Sequence, residues 1–350
     1  MIAIVFIMFG VLCAFGATSA AYRDKGVDGL LRTVAVIALI AIAGFREVGI
    51  DQDSVGYLIY YNLTDDRLSL AAEPSFILIA QLTRTAFADA GLRALFVIYA
   101  VLGVTLKYLA IDKLTNLFWL SFITYFSGYF LLHEFTQIRA GVACGIVLFS
   151  LYYVQKRQPI HFIAAVVIAS LFHYSALVSL VLYFLRPSLT SFTKSMIALA
   201  IPVAILIKTA NINLVAALPI ELVRNKIDVY SQLQSLTTID LNAFNLVYLI
   251  KYALVYVFLL FSRPISEKAP GFAIFLQIYA LSMASYIALS YNSAFAIRIS
   301  ELYGVVEIVL FPMLVYAFRS SLPGTVAVVA LALGNLALGI FQTQLIQPLP

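Results

Sequence analysis

Arg46, Asp51, Asp53 and Glu73 share one polar stretch of an otherwise apolar chain with Tyr57, Tyr60 and Tyr61. An arginine presents a planar fork of donors that matches phosphate oxygens, a carboxylate takes a proton or orients a sugar hydroxyl, and a tyrosine ring stacks on a sugar face. A second polar run, His133-Glu134-Phe135-Thr136-Gln137-Ile138-Arg139, separates two apolar segments. Read as continuous helix, it sets Thr136 beside Arg139 and His133 beside Gln137. His173 stands in the apolar SLFHYSALV with Ser170, Tyr174 and Ser175 around it, and is a candidate general base. Arg298 and Glu301, three residues apart, read equally as an ion pair or as a phosphate contact.

Each group also has a plainer reading. Arg139 can pair with Glu134 or Asp53 and only lock helices together. His173 can be a hydrogen-bonded core residue, Asp51 and Asp53 can cap a turn before Tyr57, and the tyrosines can belong to an interfacial belt. Glu221, Arg224 and Asp228 have the spacing of a solvated helix with its own ion pairs. Lys251 and Glu307 are lone charges in late apolar runs, for which mutual pairing is expected. Asp51-Gln52-Asp53 resembles the Asp-x-Asp of metal-dependent sugar transferases, but three residues recur often by chance. Metal independence is favoured, and no cofactor motif or phosphate-binding glycine loop is present.

These groups need a scaffold, and composition defines it. Of the 350 residues 63% are hydrophobic and 11% charged, with mean hydropathy +0.99, which excludes a soluble globule. Runs of about 20 apolar residues cross a bilayer as helix. The runs near 2–21, 31–46, 94–110, 116–132, 140–155, 160–185, 194–213, 244–262, 271–290, 299–318 and 322–343 predict an all-α polytopic bundle of about 11–12 spans, one transmembrane domain over 1–350. Cys13 and Cys144 fall inside apolar runs as packing residues, and Met1–Ala21 reads as a retained first span. The net charge of +5 is spread over loops and gives no reason to expect nucleic acid.

Basic residues cluster at Arg23/Lys25/Arg32, Lys107/Lys113, Lys156/Arg157, Arg186/Lys194, Arg263/Lys268 and Arg319, which the positive-inside rule makes cytoplasmic loops. One uninterrupted span over 160–185 would force a basic loop outside. A helix broken at His173-Tyr174-Ser175 removes the conflict. Segments 46–93, 133–139, 211–243 and 291–298 then face outward, with 46–93 and 211–243 contributing to the site. Within 46–93, Glu73–Ala90 is expected as a helix lying on the bundle, with Phe76, Ala80, Thr83 and Phe87 on one face.

Four motifs occur in order: Arg46-x-x-Gly49-x-Asp51 with Tyr57; Glu73-Pro74; Gln137-Ile138-Arg139-Ala140-Gly141-x-Ala143; and Leu171-Phe172-His173-Tyr174-Ser175-Ala176. Over residues 40–185 the chain thereby resembles the EpsG-like polysaccharide polymerases, the group that includes the Wzy polymerases of O-antigen and capsule. It departs from them where Gln52-Asp53-Ser54 intervenes, which leaves Asp51 and Asp53 both open as the family's aspartate. The resemblance implies a bacterial inner-membrane enzyme that moves a growing glycan from undecaprenyl pyrophosphate to the non-reducing end of a lipid-linked repeat unit on the outer face. It implies Arg46, Arg139 and Arg298 as pyrophosphate ligands, His173, Asp51 or Asp53 as base, and Tyr57, Glu73, Gln137 and Tyr174 as sugar or acceptor contacts. A flippase and a chain-length regulator are its candidate membrane partners. A glycan ligase using the same carrier and a transporter of the lipid-linked glycan are the competing readings.

Overall fold

The structure, a computed structural model, describes residues 1–22, 24–63, 72–212, 214 and 241–347. Among the described residues every regular element is helical. Seven helical stretches among the described residues are long and apolar enough to cross a membrane: Ile2–Tyr22, Lys25–Gly44, Pro74–Leu114, Ile138–Gln155, Ser191–Thr209, Ser293–Ala317 and Ser321–Gln342. An eighth forms if Leu246–Leu260 is joined to Ser262–Lys268 across their 73° bend. This is a multi-pass helical membrane protein. The long helices are fewer than the apolar runs because several runs break into shorter pieces, among them Pro159–Phe172, Tyr174–Phe184 and Phe272–Ala288.

The chain divides into two compact units, Met1–Tyr183 with Ile308–Pro350, and Phe184–Glu307. In the first, α1 (Ile2–Tyr22) and α2 (Lys25–Gly44) are joined at Asp24, whose carboxylate accepts from the amides of Gly26 and Val27 at 2.7 and 3.0 Å and so caps α2. After a polar turn come α3 (Ser54–Tyr61), α4 (Pro74–Phe87), α5 (Gly91–Leu114) and α6 (Phe118–Tyr125). Asp28 on α2 ties four helices at one end. It accepts from Trp119 Nε1 of α6 at 2.8 Å and Ser19 of α1 at 2.5 Å, and it pairs at 2.7 Å with Arg32, which also reaches Asp112 of α5.

α4 and α5 form a hairpin. A straight helix, rising 1.5 Å per residue, would hold residues 76 and 99 about 35 Å apart. The rings of Phe76 and Tyr99 are instead 6.2 Å apart, so the chain folds back at Ala88, whose φ of 43° makes the corner. Phe76, Ala80 and Thr83 are buried on one face as expected, whereas Phe87, beside the corner, is 54% exposed.

Beyond α6 the chain winds as a π-helix over Phe126–Thr136, then resumes as α7 (Ile138–Gln155), which packs on α8 (Pro159–Phe172). Helix α8 stops at His173, whose backbone is extended (φ −155°, ψ 119°), and a 3-10 helix follows over Tyr174–Phe184. The interruption expected within 160–185 is therefore present, at His173. The unit closes with α15 (Ser321–Ala337), and its end is fastened to the turn after α2: Gln52 Nε2 donates to Thr343 O at 2.6 Å, and Gln347 N to Ile50 O at 2.8 Å.

The second unit holds α9 (Ser191–Thr209), α10 (Leu246–Leu260), α11 (Ser262–Lys268), α12 (Phe272–Ala288) and α13 (Ser293–Gly304), with α12 packed on α9, α10 and α13. Lys251 and Glu307 form the expected pair at 2.8 Å. Helix α14 (Glu307–Leu310) begins at that glutamate. Of the expected outward segment 211–243, residues 213 and 215–240 lie outside the described residues, and Glu221, Arg224 and Asp228 with them.

Candidate functional site

The first polar motif folds into a sealed turn. Gly49 takes a φ of 93°, which a side chain would oppose, and its amide donates to Ser54 Oγ at 2.8 Å. Arg46 donates through Nε to Asp51 at 3.0 Å, through Nη1 to Ala43 O at 2.7 Å and through Nη2 to Phe135 O at 2.8 Å, and its guanidinium stacks 4.1 Å over Phe96. Both side chains of the Arg46–Asp51 pair are fully enclosed. Burial pushes the Arg46 guanidinium below its ordinary value, against the opposing effect of Asp51. The other oxygen of Asp51 caps α3 through the amides of Asp53 and Ser54. A pyrophosphate role for Arg46 and a base role for Asp51 thus meet a turn with no open face, whereas Asp53 is exposed.

The tyrosines expected to stack on sugars divide in the same way. Tyr57 is 4% exposed, with Phe76 at 5.9 Å and Phe96 at 6.4 Å, and burial drives its hydroxyl up to about 12. Tyr61 is also buried, its hydroxyl against Thr83. Tyr60 is half-buried, and Tyr174 is exposed.

Three separate motifs converge on Glu73. Proline at the first position of α4 sets Glu73 as the residue ahead of the helix, yet its side chain does not cap α4. One carboxylate oxygen meets Arg139 Nη1 at the start of α7; the other lies 2.9 Å from His173 Nδ1 at the end of α8. Burial raises the Glu73 carboxyl, but the His173 hydrogen bond and the Arg139 charge outweigh it and hold the group at about 2. Arg139 also lies 5.6 Å from the Tyr60 ring centroid, and its side chain is 19% exposed.

The polar run before α7 departs from the expected helix. The π-helical winding ends at Thr136, and Gln137 is non-helical (φ −99°, ψ 57°), so the α-helical pairing of Thr136 with Arg139 and His133 with Gln137 does not arise. Any side chain at Gly141 would strike the His133 backbone, which explains a glycine in that motif. Glu134 does not reach Arg139. It accepts from Lys107 at 2.5 Å and Tyr125 at 2.9 Å. Lys107, expected in a cytoplasmic loop, is instead fully buried in α5. A charge within an apolar run signals a partner, and Lys107 carries that signal in the sequence. Arg298 belongs to the second unit, on α13, and is exposed there.

Helices of this length and apolarity, with ion pairs sealed among them, define a polytopic membrane protein. The EpsG family model matches residues 29–338, nearly the whole chain and well beyond 40–185, and the protein belongs to that family, a family of polysaccharide-polymerase-type membrane proteins. No curated protein and no solved structure matches it significantly.

Proposed function

We propose that this protein is a glycosyltransferase of the bacterial inner membrane that polymerises polysaccharide, passing a growing glycan from undecaprenyl pyrophosphate to the non-reducing end of a lipid-linked repeat unit at the outer face. The observation that carries the reading is the meeting of Arg139, Glu73 and His173, from three distant motifs, at one partly open point of the first unit. Arg139 is the diphosphate ligand. As the bond from the anomeric carbon to the diphosphate oxygen breaks, charge grows on the leaving group, and a fixed guanidinium stabilises that state more than the ground state. His173 is the base: it takes the proton of the acceptor hydroxyl as that oxygen bonds to the anomeric carbon. Tyr60 and Tyr174, the more open aromatics, are the sugar contacts, with Gln137 beside Arg139. Arg46, Asp51 and Tyr57 shape the turn that supports them. The reading rests on first-unit residues alone.

The test is purified protein with a synthetic lipid-linked repeat. A ladder of multiples of the repeat is expected from wild type and from Asp53→Asn, and single repeats only from His173→Ala and Arg139→Ala. Turnover retained in His173→Ala would overturn the base assignment. Transfer to a lipid or protein acceptor without a ladder would favour a ligase, and movement of intact repeats across vesicles without bond formation would favour a transporter.

A further inference from the structure

Glu73 is a residue with two jobs that conflict. It divides its oxygens between Arg139 and His173, and it leaves its own helix uncapped. An ionised carboxylate only accepts hydrogen bonds, so the bond to His173 requires the proton on Nδ1. The lone pair of the neutral ring then lies on Nε2, at the edge turned away from Glu73, which has no protein partner among the described residues. Arg139 faces the aromatic rings of Tyr57, Tyr60 and Phe76, and Glu73 is the anion it holds.

Resting on the polymerase reading, we propose that Glu73 is a positioning residue that fixes His173 with its proton on Nδ1 and hands Arg139 over to the donor's diphosphate when the donor binds. Diphosphate oxygens compete with one carboxylate for the same fork of donors. Once Arg139 turns to the diphosphate, the Glu73 charge faces His173 alone and stabilises the imidazolium that forms as the acceptor gives up its proton. The acceptor O–H bond breaks, its oxygen bonds to the anomeric carbon, the electron pair of the old bond leaves on the diphosphate, and the proton rests on Nε2. Donor binding thereby prepares the base. The other titratable groups about this cluster are Tyr57 and Tyr60 on α3, which face Arg139, Tyr99 on α5, whose ring packs against Phe172, and Tyr174 next to His173 in the chain.

The experiment compares wild type, Glu73→Gln and Glu73→Asp in three readouts. Nitrogen NMR of the histidines, with His173 assigned by its loss in His173→Gln, is expected to show Nδ1 protonated in wild type and the signal displaced in Glu73→Gln; a wild-type His173 protonated on Nε2 overturns the proposal. Binding of inorganic pyrophosphate is expected to tighten about fivefold or more in Glu73→Gln, because the competing carboxylate is gone; unchanged affinity overturns the exchange. With the lipid-linked repeat, Glu73→Gln is expected to lose about 100-fold in kcat at little change in KM, with partial rescue by Glu73→Asp; wild-type kcat in Glu73→Gln overturns the positioning role. A wild type inert towards the repeat would count against the polymerase reading, while the NMR and pyrophosphate results would still decide this one.

Discussion

The Lys107 ammonium lies 2.5 Å from Glu134 Oε1, with neither side chain more than 1% exposed. Lys107 also donates to Gly141 O at 2.9 Å, so the pair joins α5, the π-helical stretch and the first turn of α7, the helix that carries Arg139. A buried pair of this kind holds its neighbours in one register, because each charge alone is far costlier than both together.

Removing one partner is therefore expected to be worse than removing both. Lys107→Met or Glu134→Leu should cost about 3–5 kcal/mol, and the double replacement clearly less. Denaturation of the purified variants measures this. Additive losses would show that the two charges are not coupled.

Arg46 and Arg139 are expected to respond differently to the same conservative change. Arg46→Lys loses bonds to Ala43 and Phe135 that a single ammonium cannot all remake, so its melting temperature should fall and any loss of activity should track the loss of folded protein. Arg139→Lys should fold normally and still leave single repeats, since a point charge does not grip two diphosphate oxygens. Near-normal chain lengths in Arg139→Lys at equal protein level would end the diphosphate role.

The break at His173 is expected to face the outside. Ser175→Cys, with Cys13 and Cys144 replaced, should be labelled in intact spheroplasts by an impermeant thiol reagent. Protection of Ser175→Cys together with external labelling near Lys194 would reverse the orientation.

The Glu73 carboxyl carries a pH dependence of defined sign. Held at about 2 against an ordinary 4.5, it stabilises the fold fully above about pH 4.5, and this contribution is lost as pH falls through the folded value. Glu73→Gln is expected to be less stable than wild type by roughly 3 kcal/mol from pH 7 down to about 5, with the gap closing at lower pH. A gap that stays constant to pH 3 would show that Glu73 is not ionised by its partners.

The helical membrane class is legible because apolar runs of bilayer length leave no other fold open to the backbone. The break at His173 is legible for a different reason, the two basic loops on either side of 160–185. Pairing of Lys251 with Glu307 follows from the cost of lone charges in apolar helices. The same cost holds for Lys107, but Lys113 nearby gives it the sequence pattern of a basic loop. The π-helical winding of 126–136 leaves no mark in a pattern of 3.6 residues per turn, so the true neighbours of Thr136 and Gln137 are not legible in the sequence. Glu73 stands out in the sequence as a carboxylate ahead of Pro74, but its two partners lie 66 and 100 residues away and only the tertiary fold joins them.

The hydrogen bonds from Gln52 to Thr343 and from Gln347 to Ile50 impose an order in time. Residues 52 and 343 are 291 apart, and at about 5–20 residues per second the ribosome takes roughly 15–60 s to pass from one to the other. During that interval the turn that bears Asp51 has been made but lacks its partners at Thr343, Gln344 and Gln347. The nascent chain therefore carries an unfinished corner until α15 and residues 343–347 behind it have been made.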